Sequence, residues 1–552
     1  QQLKSAWKVL LLGLVALQHL ELAAGSRILA AFFFPGKSHF MMTNAIVREL
    51  VQRGHEVTFI TPFSLAKENL GANYKEILLP QYNFWPTRKC HNLQQATNCA
   101  MLIPFDIAVL EMTQAKTVLD MTDANTLTFI RMCYVMGLDS TEFAFEQPAV
   151  QQLIDAKDKV GKYDLLLAEQ FFNEGALLLG HLYQIPTITV STFGFANYMS
   201  PLVGIVTPWA HVPHGWKPYT DHMSLAERID SIYTCALDEL MRTFWYYPRQ
   251  DAMLRKLFAH KIEALPTVKQ LERNISAFLL NTYMPLEAPR PVSFNMIQVG
   301  GLHIQQPKPL PADMQQFLDE AKHGAIYFSL GSQVRSADLP PAKLKIFLDV
   351  FRSLKQRILW KFEDEQLPNL PANVMVHKWM PQNDILAHPN VKVFIAHGGL
   401  FGTQEAVYHG VPVLGMPVYA DQYLNIKKGK AAGFALGVDY RTVTEQELRH
   451  SLTELLENPK YRDNMKSASK VFRNRPLGAM DTAMFWIDYV IEHRGAPHMV
   501  SAALDLHWYQ YYLLDIIGLL LAAILLPIVG LCLLCRKRKS AVKAGKTKAK
   551  RN

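Results

Sequence analysis

Cysteine is scarce in this chain, six residues in 552, and neither cysteines with histidines nor paired acids fall at metal-ligand spacing. No metal is therefore expected. An excess of charge is missing from the body as well. The formal charge of +9 comes from the last segment, Arg536 to Asn552, which holds nine of the 57 Lys and Arg and no acid; the remainder is 48 basic against 48 acidic. That balance removes a nucleic-acid partner suggested by net charge alone. Low-complexity sequence and short repeats are absent outside the tail. At 552 residues and 49% hydrophobic content, the chain is too long for one core and too apolar for disorder, so two globular domains are expected.

The ends are what the composition sets apart. "IIGLLLAAILLPIVGLCLLC", Ile516 to Cys535, is uncharged and, at ~1.5 Å per residue, spans the ~30 Å core of a bilayer. Trp508, Tyr509, Tyr511 and Tyr512 precede it as interfacial rings. The Lys/Arg block after it puts the C-terminus in the cytosol. "KSAWKVLLLGLVALQHLELAAGS" reads as a secretory signal over residues 1–25. The expected protein is single-pass type I with a lumenal body, an N-glycosylation sequon at Asn274, and four cysteines in an oxidising space. Of these, Cys90 and Cys99 lie close enough to pair within one loop, although spacing alone does not settle it. The terminal "KAKRN" places Lys548 and Lys550 at the spacing of a dilysine retrieval signal, which implies the endoplasmic reticulum; charge at an anionic leaflet is the simpler alternative.

Between the ends the pattern is α/β. From Arg27 come a strand "RILAAFFF", a loop "PGKSHF", an amphipathic helix stopped at Gly54 and a strand "EVTFIT". The alternation returns after a proline-rich stretch, with "AIYFSL", a loop at Gly331 and Ser332, a helix and "RILWKF". Two parallel-sheet domains follow, expected at 26–284 and 312–508, joined by a linker at 285–311 and followed by a transmembrane helix at 509–535 and a basic tail at 536–552. In such sheets ligands bind beyond the carboxyl ends of strands, where a helix N-terminus offers free N–H groups to an anion. "AHGGLFGTQE" is placed for this: Gly398 and Gly399 allow close approach, His397 adds a donor, and Glu405 suits a hydroxyl-bearing group rather than the phosphate itself. The loop lacks both the G-x-G-x-x-G pattern and a following Walker lysine, so dinucleotide and P-loop readings fail here.

Phe394 through Gln422, with "YFSLGSQVRSADLP" and "VHKWMPQNDILAHPNV", resembles the signature of the UDP-glycosyltransferases, specifically the animal membrane-bound UDP-glucuronosyltransferase family. The resemblance covers essentially the whole chain and implies a GT-B fold, two Rossmann-like domains facing a cleft. It implies that Trp379 stacks on uracil, Gln382 bonds the nucleoside and Glu405 takes the ribose hydroxyls. Ser332, His397 and the amides near Gly399 and Gly402 would receive the diphosphate, and Asp421 and Gln422 the hexose. Asp421 and Gln422 as mere caps of the next helix is the plain alternative. Ala396 and Phe401 depart from the usual residues, and Phe401 could crowd the phosphate loop.

The family's base position falls on His39, because transfer to an alcohol needs a group that takes the hydroxyl proton near neutral pH. Its orienting carboxylate is commonly an Asp; in register this chain has Glu169, while Asp164 lies too early in the strand. The resemblance implies inversion without a metal or cofactor, the UDP-sugar being a co-substrate, and conjugation of small lipophilic acceptors. The uncharged, aromatic-rich stretch Phe193 to Trp216 suits an acceptor wall or a membrane-facing loop. "GSQVRSADLP" and "LAEQFFNEG" look most like arthropod members, which generally use UDP-glucose, so glucose is expected over glucuronate. A ceramide-like lipid glycosyltransferase and a non-catalytic carrier are the competing readings, and homo- or hetero-oligomers stay open.

Overall fold

The computed structural model describes residues 25–80, 125–364 and 367–548. The expected signal segment, Cys90 and Cys99, and Lys550 lie outside them. Two all-parallel sheets form. The first has seven strands in the order β3-β2-β1-β4-β5-β6-β7, the second six in the order β10-β9-β8-β11-β12-β13.

In the first sheet β1 is Arg27–Ala31, β2 Glu56–Thr61, β3 Tyr74–Leu78, β4 Leu165–Glu169, β5 Thr187–Ser191, β6 Ile275–Leu280 and β7 Met296–Gln298. In the second, β8 is Ala325–Ser329, β9 Arg357–Lys361, β10 Val374–His377, β11 Val391–Ala396, β12 Val413–Gly415 and β13 Ala435–Gly437. The helices that position the site and the domains are α1 (Lys37–Gln52), α2 (Thr126–Glu146), α3 (Leu225–Met241), α4 (Tyr247–Phe258), α5 (Leu400–His409), α6 (Gln422–Ala431), α7 (Ala479–Glu492) and α8 (Leu514–Lys548).

Strand β4 is buried at every residue and alternates faces. Leu165 and Leu167 join the core beneath α1, with Ile46 and Leu50, while Leu166 and Ala168 join the core of α2 and α4, with Ile130, Tyr134 and Leu254. This period of two sends Glu169 to the α1 side and Gln170 to the other.

Two features depart from the expected organisation. Residues 285–311 are not only a linker, because Met296–Gln298 pairs in parallel with β6 and closes the edge of the first sheet. Met296 and Ile297 are both buried, in the cores on opposite faces of the sheet, which favours that pairing, and three residues are too short a signal to read as a strand beforehand. Helix α7, expected with the second domain, packs on the first: Met484, Ile487 and Val490 sit in the core with Val47, Leu50 and Ile188. Each fully buried side chain of this kind contributes roughly 1.5–3 kcal/mol, which fixes the helix there.

Among the described residues, Leu514–Ala541 of α8 is the helix long and apolar enough to cross a membrane, and it is wholly unburied by the rest of the chain. Before it, the Tyr511 hydroxyl donates to the Gly204 carbonyl at 3.2 Å, tying the pre-helix segment to the first domain. Cys133 and Cys235 are buried free thiols. Asn274 is exposed just ahead of β6.

Candidate active site

His39 does not sit in a loop. Pro35 and Gly36 break the chain after β1, Gly36 takes the extended N-cap position, and α1 begins at Lys37, so His39 occupies the first helical turn. A side chain at Gly36 would stand 2.9 Å from the imidazole Cδ2 and 2.8 Å from the Phe34 ring, which explains the bare backbone there. Phe34 and Phe171 flank the imidazole at centroid distances of 4.7 and 4.5 Å.

Glu169 closes β4, and its Oε1 lies 2.5 Å from His39 Nδ1. The carboxylate is buried, with Oε2 unpartnered. Because an ionised carboxylate only accepts, the contact places the proton on Nδ1 and leaves Nε2 with the lone pair. Thr192 Oγ1, at the end of β5, stands 2.8 Å from the same Nδ1, a contact that no spacing in the sequence announced. Asp164 is at the opposite end of β4, held by Arg27 at 2.9 Å, and takes no part.

Across the cleft, His397 follows β11 and is packed between two glycines. Cβ atoms at Gly331 (φ +83°) and Gly399 would come within 2.5 and 2.4 Å of its ring. Burial first, and the Lys361 ammonium second, push this imidazole down to about 4, so it is neutral at pH 7 and serves as a hydrogen-bond donor rather than a cation. Gly399 caps α5 without a side-chain bond, and the N–H groups of the helix's first turn are left to a ligand. Ser332 follows Gly331 in the loop after β8 and lines the same cavity.

Glu405, one turn into α5, is 3% exposed, and burial pushes its carboxyl up to about 7. Gln382 Nε2 donates to it at 2.5 Å. His303 Nε2 lies 3.7 Å from its other oxygen, and both ring nitrogens of His303 are buried without a hydrogen-bond partner. Phe401 lies tilted against His303, with ring centroids 4.7 Å apart. Trp379 is 65% exposed, an indole standing free on the cleft wall rather than in a core.

At the far end, Ala420 holds a left-handed φ of +56° and turns Asp421 toward the cleft. Asp421, the N-cap of α6, makes no capping bond to a helix N–H; its Oδ2 instead accepts from Asn425 at 2.8 Å. Burial raises its carboxyl pKa. Gln422 Oε1 accepts from the Val418 and Tyr419 amides at 2.8 and 3.2 Å, which bends the turn.

Ten of the eleven expected residues line one cavity of about 630 Å³ between the sheets, and the eleventh, Glu169, stands behind His39. Its wall on the first domain is apolar, with Phe34, Phe129, Met132, Phe171, Phe193 and Trp216. Phe193 and Trp216 are the two ends of the stretch expected as acceptor wall; Phe195 and Tyr198 between them are core. Lys361 and His303 also line the cavity and were not singled out by motif.

Two parallel α/β units whose strand ends face each other, with a histidine and carboxylate on one side and a glycine-lined helix start on the other, define a glycosyl-transfer cleft of GT-B type. The chain belongs to the family described as UDP-glucoronosyl and UDP-glucosyl transferase, whose model matches residues 33–549. It is 34% identical over 499 residues to UDP-glucosyltransferase 2 of Dactylopius coccus, covering 90% of each chain. It is 31% identical over 516 residues to UDP-glucuronosyltransferase 2B15 of Homo sapiens, covering 93% of each. In fold it is similar to CalG4, the calicheamicin glycosyltransferase, with a TM-score of 0.56 at 16% identity over 86% of this chain and 100% of that one. A Polygonum tinctorium UDP-glucosyltransferase capable of glucosylating indoxyl gives a TM-score of 0.54 at 17% identity, over 85% and 99%. The protein is a UDP-glycosyltransferase, and its donor is a UDP-sugar.

Proposed function

We propose that the enzyme transfers glucose from UDP-glucose, with inversion, to hydroxyl groups of small lipophilic acceptors. The observation that carries this is the 2.5 Å contact of Glu169 with His39 Nδ1, which turns Nε2 into a base at the junction of an apolar wall and the UDP-sugar loop. The acceptor hydroxyl gives its proton to Nε2 as its oxygen attacks the anomeric carbon; the bond to the UDP oxygen breaks, and Glu169 stabilises the imidazolium formed. The N–H groups opening α5 and the neutral His397 donate to the departing diphosphate. Trp379 stacks on uracil, Gln382 and Glu405 take the nucleoside, Ser332, Gly399 and Gly402 border the phosphates, and Asp421 with Gln422 takes the hexose hydroxyls. Neither a metal nor a cofactor enters this scheme.

Glucose is favoured over glucuronate on charge. Of the cations that line the cavity, Arg48 and Lys361 already face Glu68 and Glu363, and Lys308 lies at the nucleoside end, its backbone N–H on Asp384 beside Gln382; Lys428 behind Asp421 faces Glu287 at 3.1 Å, and the hexose end presents a carboxylate. A sugar carboxylate would meet Asp421 rather than a free cation. Competition binding decides it: a tenfold preference for UDP-glucuronate, about 1.4 kcal/mol, overturns the choice. Microsomes supplied with either donor and a panel of phenols and ceramide should conjugate phenols; transfer confined to ceramide would reassign the acceptor.

We place the enzyme in the endoplasmic reticulum membrane with a lumenal body. Support comes from α8, the basic segment after it and the exposed Asn274 sequon. Replacing Lys548 and Lys550 by Ser, with two lysines added upstream, should release it to the Golgi. An Asn274 glycan still sensitive to endoglycosidase H would show that the tail is not the address.

A further inference from the structure

The turn that follows Glu169 is held in a conformation it would not choose. Phe172 has φ +58°, a left-handed backbone on a bulky residue, at 2% exposure. Its carbonyl oxygen is the fixed point. The Tyr246 hydroxyl lies against it and against Glu174 Oε2 at 2.5 Å, so its single proton is shared between the two oxygens; Gln250 Nε2 donates to the carbonyl at 3.2 Å and to the Tyr246 oxygen at 2.7 Å. Helix α2 comes so close that a Cβ at Gly137 would stand 1.9 Å from that same oxygen.

Tyr246 reaches the carbonyl because α3 and α4 are joined by one π-helical turn, Arg242–Tyr246, which rotates both of these residues inward. Beneath it, Arg242 Nη2 donates to Glu174 and Glu272, each at 2.8 Å, and Tyr247 donates to Glu272 at 2.6 Å. Four buried polar side chains would be costly for packing alone. Immediately upstream of the clamped carbonyl is Phe171, whose ring lies 4.5 Å from His39, and two residues before that is Glu169.

We propose that Tyr246 and Gln250 are positioning residues for the base: by pinning the Phe172 carbonyl they set Phe171 and Glu169 against His39. This rests on His39 being the base. Neither residue lines the cavity, so neither touches a substrate. The readout follows from base chemistry. A displaced base slows attack by an alcohol, which must lose its proton, far more than attack by a phenol already ionised at the assay pH.

Tyr246→Phe should lower kcat for an aliphatic alcohol by about tenfold or more, since small misplacements of reacting groups carry such penalties. For 4-nitrophenol the loss should be under about threefold, with the UDP Kd unchanged. Gln250→Leu, acting on the same oxygen, should skew the alcohol-to-phenol ratio in the same direction. Glu272→Gln belongs to the cluster without touching the carbonyl, and should lower the melting temperature while leaving the ratio alone. Equal losses on both acceptors in Tyr246→Phe and Gln250→Leu, or a skew in Glu272→Gln as large as theirs, would reduce the cluster to a stabiliser and overturn the proposal. Should Tyr246→Phe not fold, Gln250→Leu decides alone. His39→Ala separates the two readings: if it leaves the ratio unchanged, the base assignment fails first.

Discussion

The two sides of the cleft are prepared to different degrees. On the first domain the proposed base has its partners within the protein: His39 has a carboxylate at 2.5 Å, a threonine at 2.8 Å and an aromatic ring on either side. On the second domain the groups wait. Trp379 stands in solvent, His303 and the Nδ1 of His397 lack partners, and Glu405 is buried with only a glutamine on one oxygen. The proposed base is oriented by groups of its own domain, whereas the polar groups proposed to hold the donor have fewer partners within the chain. Variants should therefore sort cleanly, first-domain changes acting on rate and second-domain changes on binding.

The sharpest break is His39→Ala. The rate should fall by ~10²–10⁴ while calorimetry finds UDP binding intact. Turnover at the wild-type level would remove the base from this side altogether.

Glu405→Gln tests the waiting side. Losing a charge-assisted acceptor for the ribose should weaken UDP by roughly 1.5–3 kcal/mol, about 10–150-fold, with kcat at saturation little changed. Its folded carboxyl lies near 7 against an ordinary 4.5, so the proton is held more tightly in the folded state. The associated stability is fully present below about pH 4.5 and is lost as pH rises through about 7. Ligand-free Glu405→Gln should consequently melt higher than wild type above pH 7 and show no such gain near pH 5. A parallel pair of melting curves across that range would contradict the buried, ligand-poor state of Glu405.

Trp379→Ala should cost UDP affinity about 1–3 kcal/mol, by the usual worth of a base stacked on an aromatic ring, with the melting temperature little moved because the indole is largely exposed. A large drop in melting temperature would make Trp379 structural.

The smallest effect is expected at Glu169→Asp, which withdraws the carboxylate by roughly one C–C bond, ~1.5 Å. The rate should fall several-fold and donor affinity should hold, because an aspartate at the end of β4 would be too short to reach His39 on α1. Full activity would show that the strand can follow the shorter side chain.

How much of this could be read beforehand depends on the range of the interaction. The βαβ alternation, the strand end before His397 and the apolar run of α8 are local patterns, and each survives folding as a strand, a loop or a helix. Glu169 is legible only through the resemblance, as the residue in register with the family's common aspartate at the carboxyl end of β4. Thr192 was not legible: it meets His39 only because β5 lies beside β4, a neighbourhood set by topology rather than spacing. Lys361 and His303 were missed because each reads as an ordinary strand end or linker residue. Helix α7 read as part of the second domain by sequence order, and only the apolar face it shares with α1 sends it elsewhere.

The return of α7 to the first sheet has a consequence for protein engineering. The chain leaves the first domain near Gln298 and comes back to it by Ala479, so each half of the cleft is attached to the other at two places. A chimaera cut only at the 285–311 segment would pair one enzyme's acceptor core with another's α7, with Ile487 and Val490 fitted to the wrong pocket. Modular exchange of acceptor and donor specificities needs a second junction, between Arg473 and Ala479, so that the final helix travels with the acceptor half whose floor it forms.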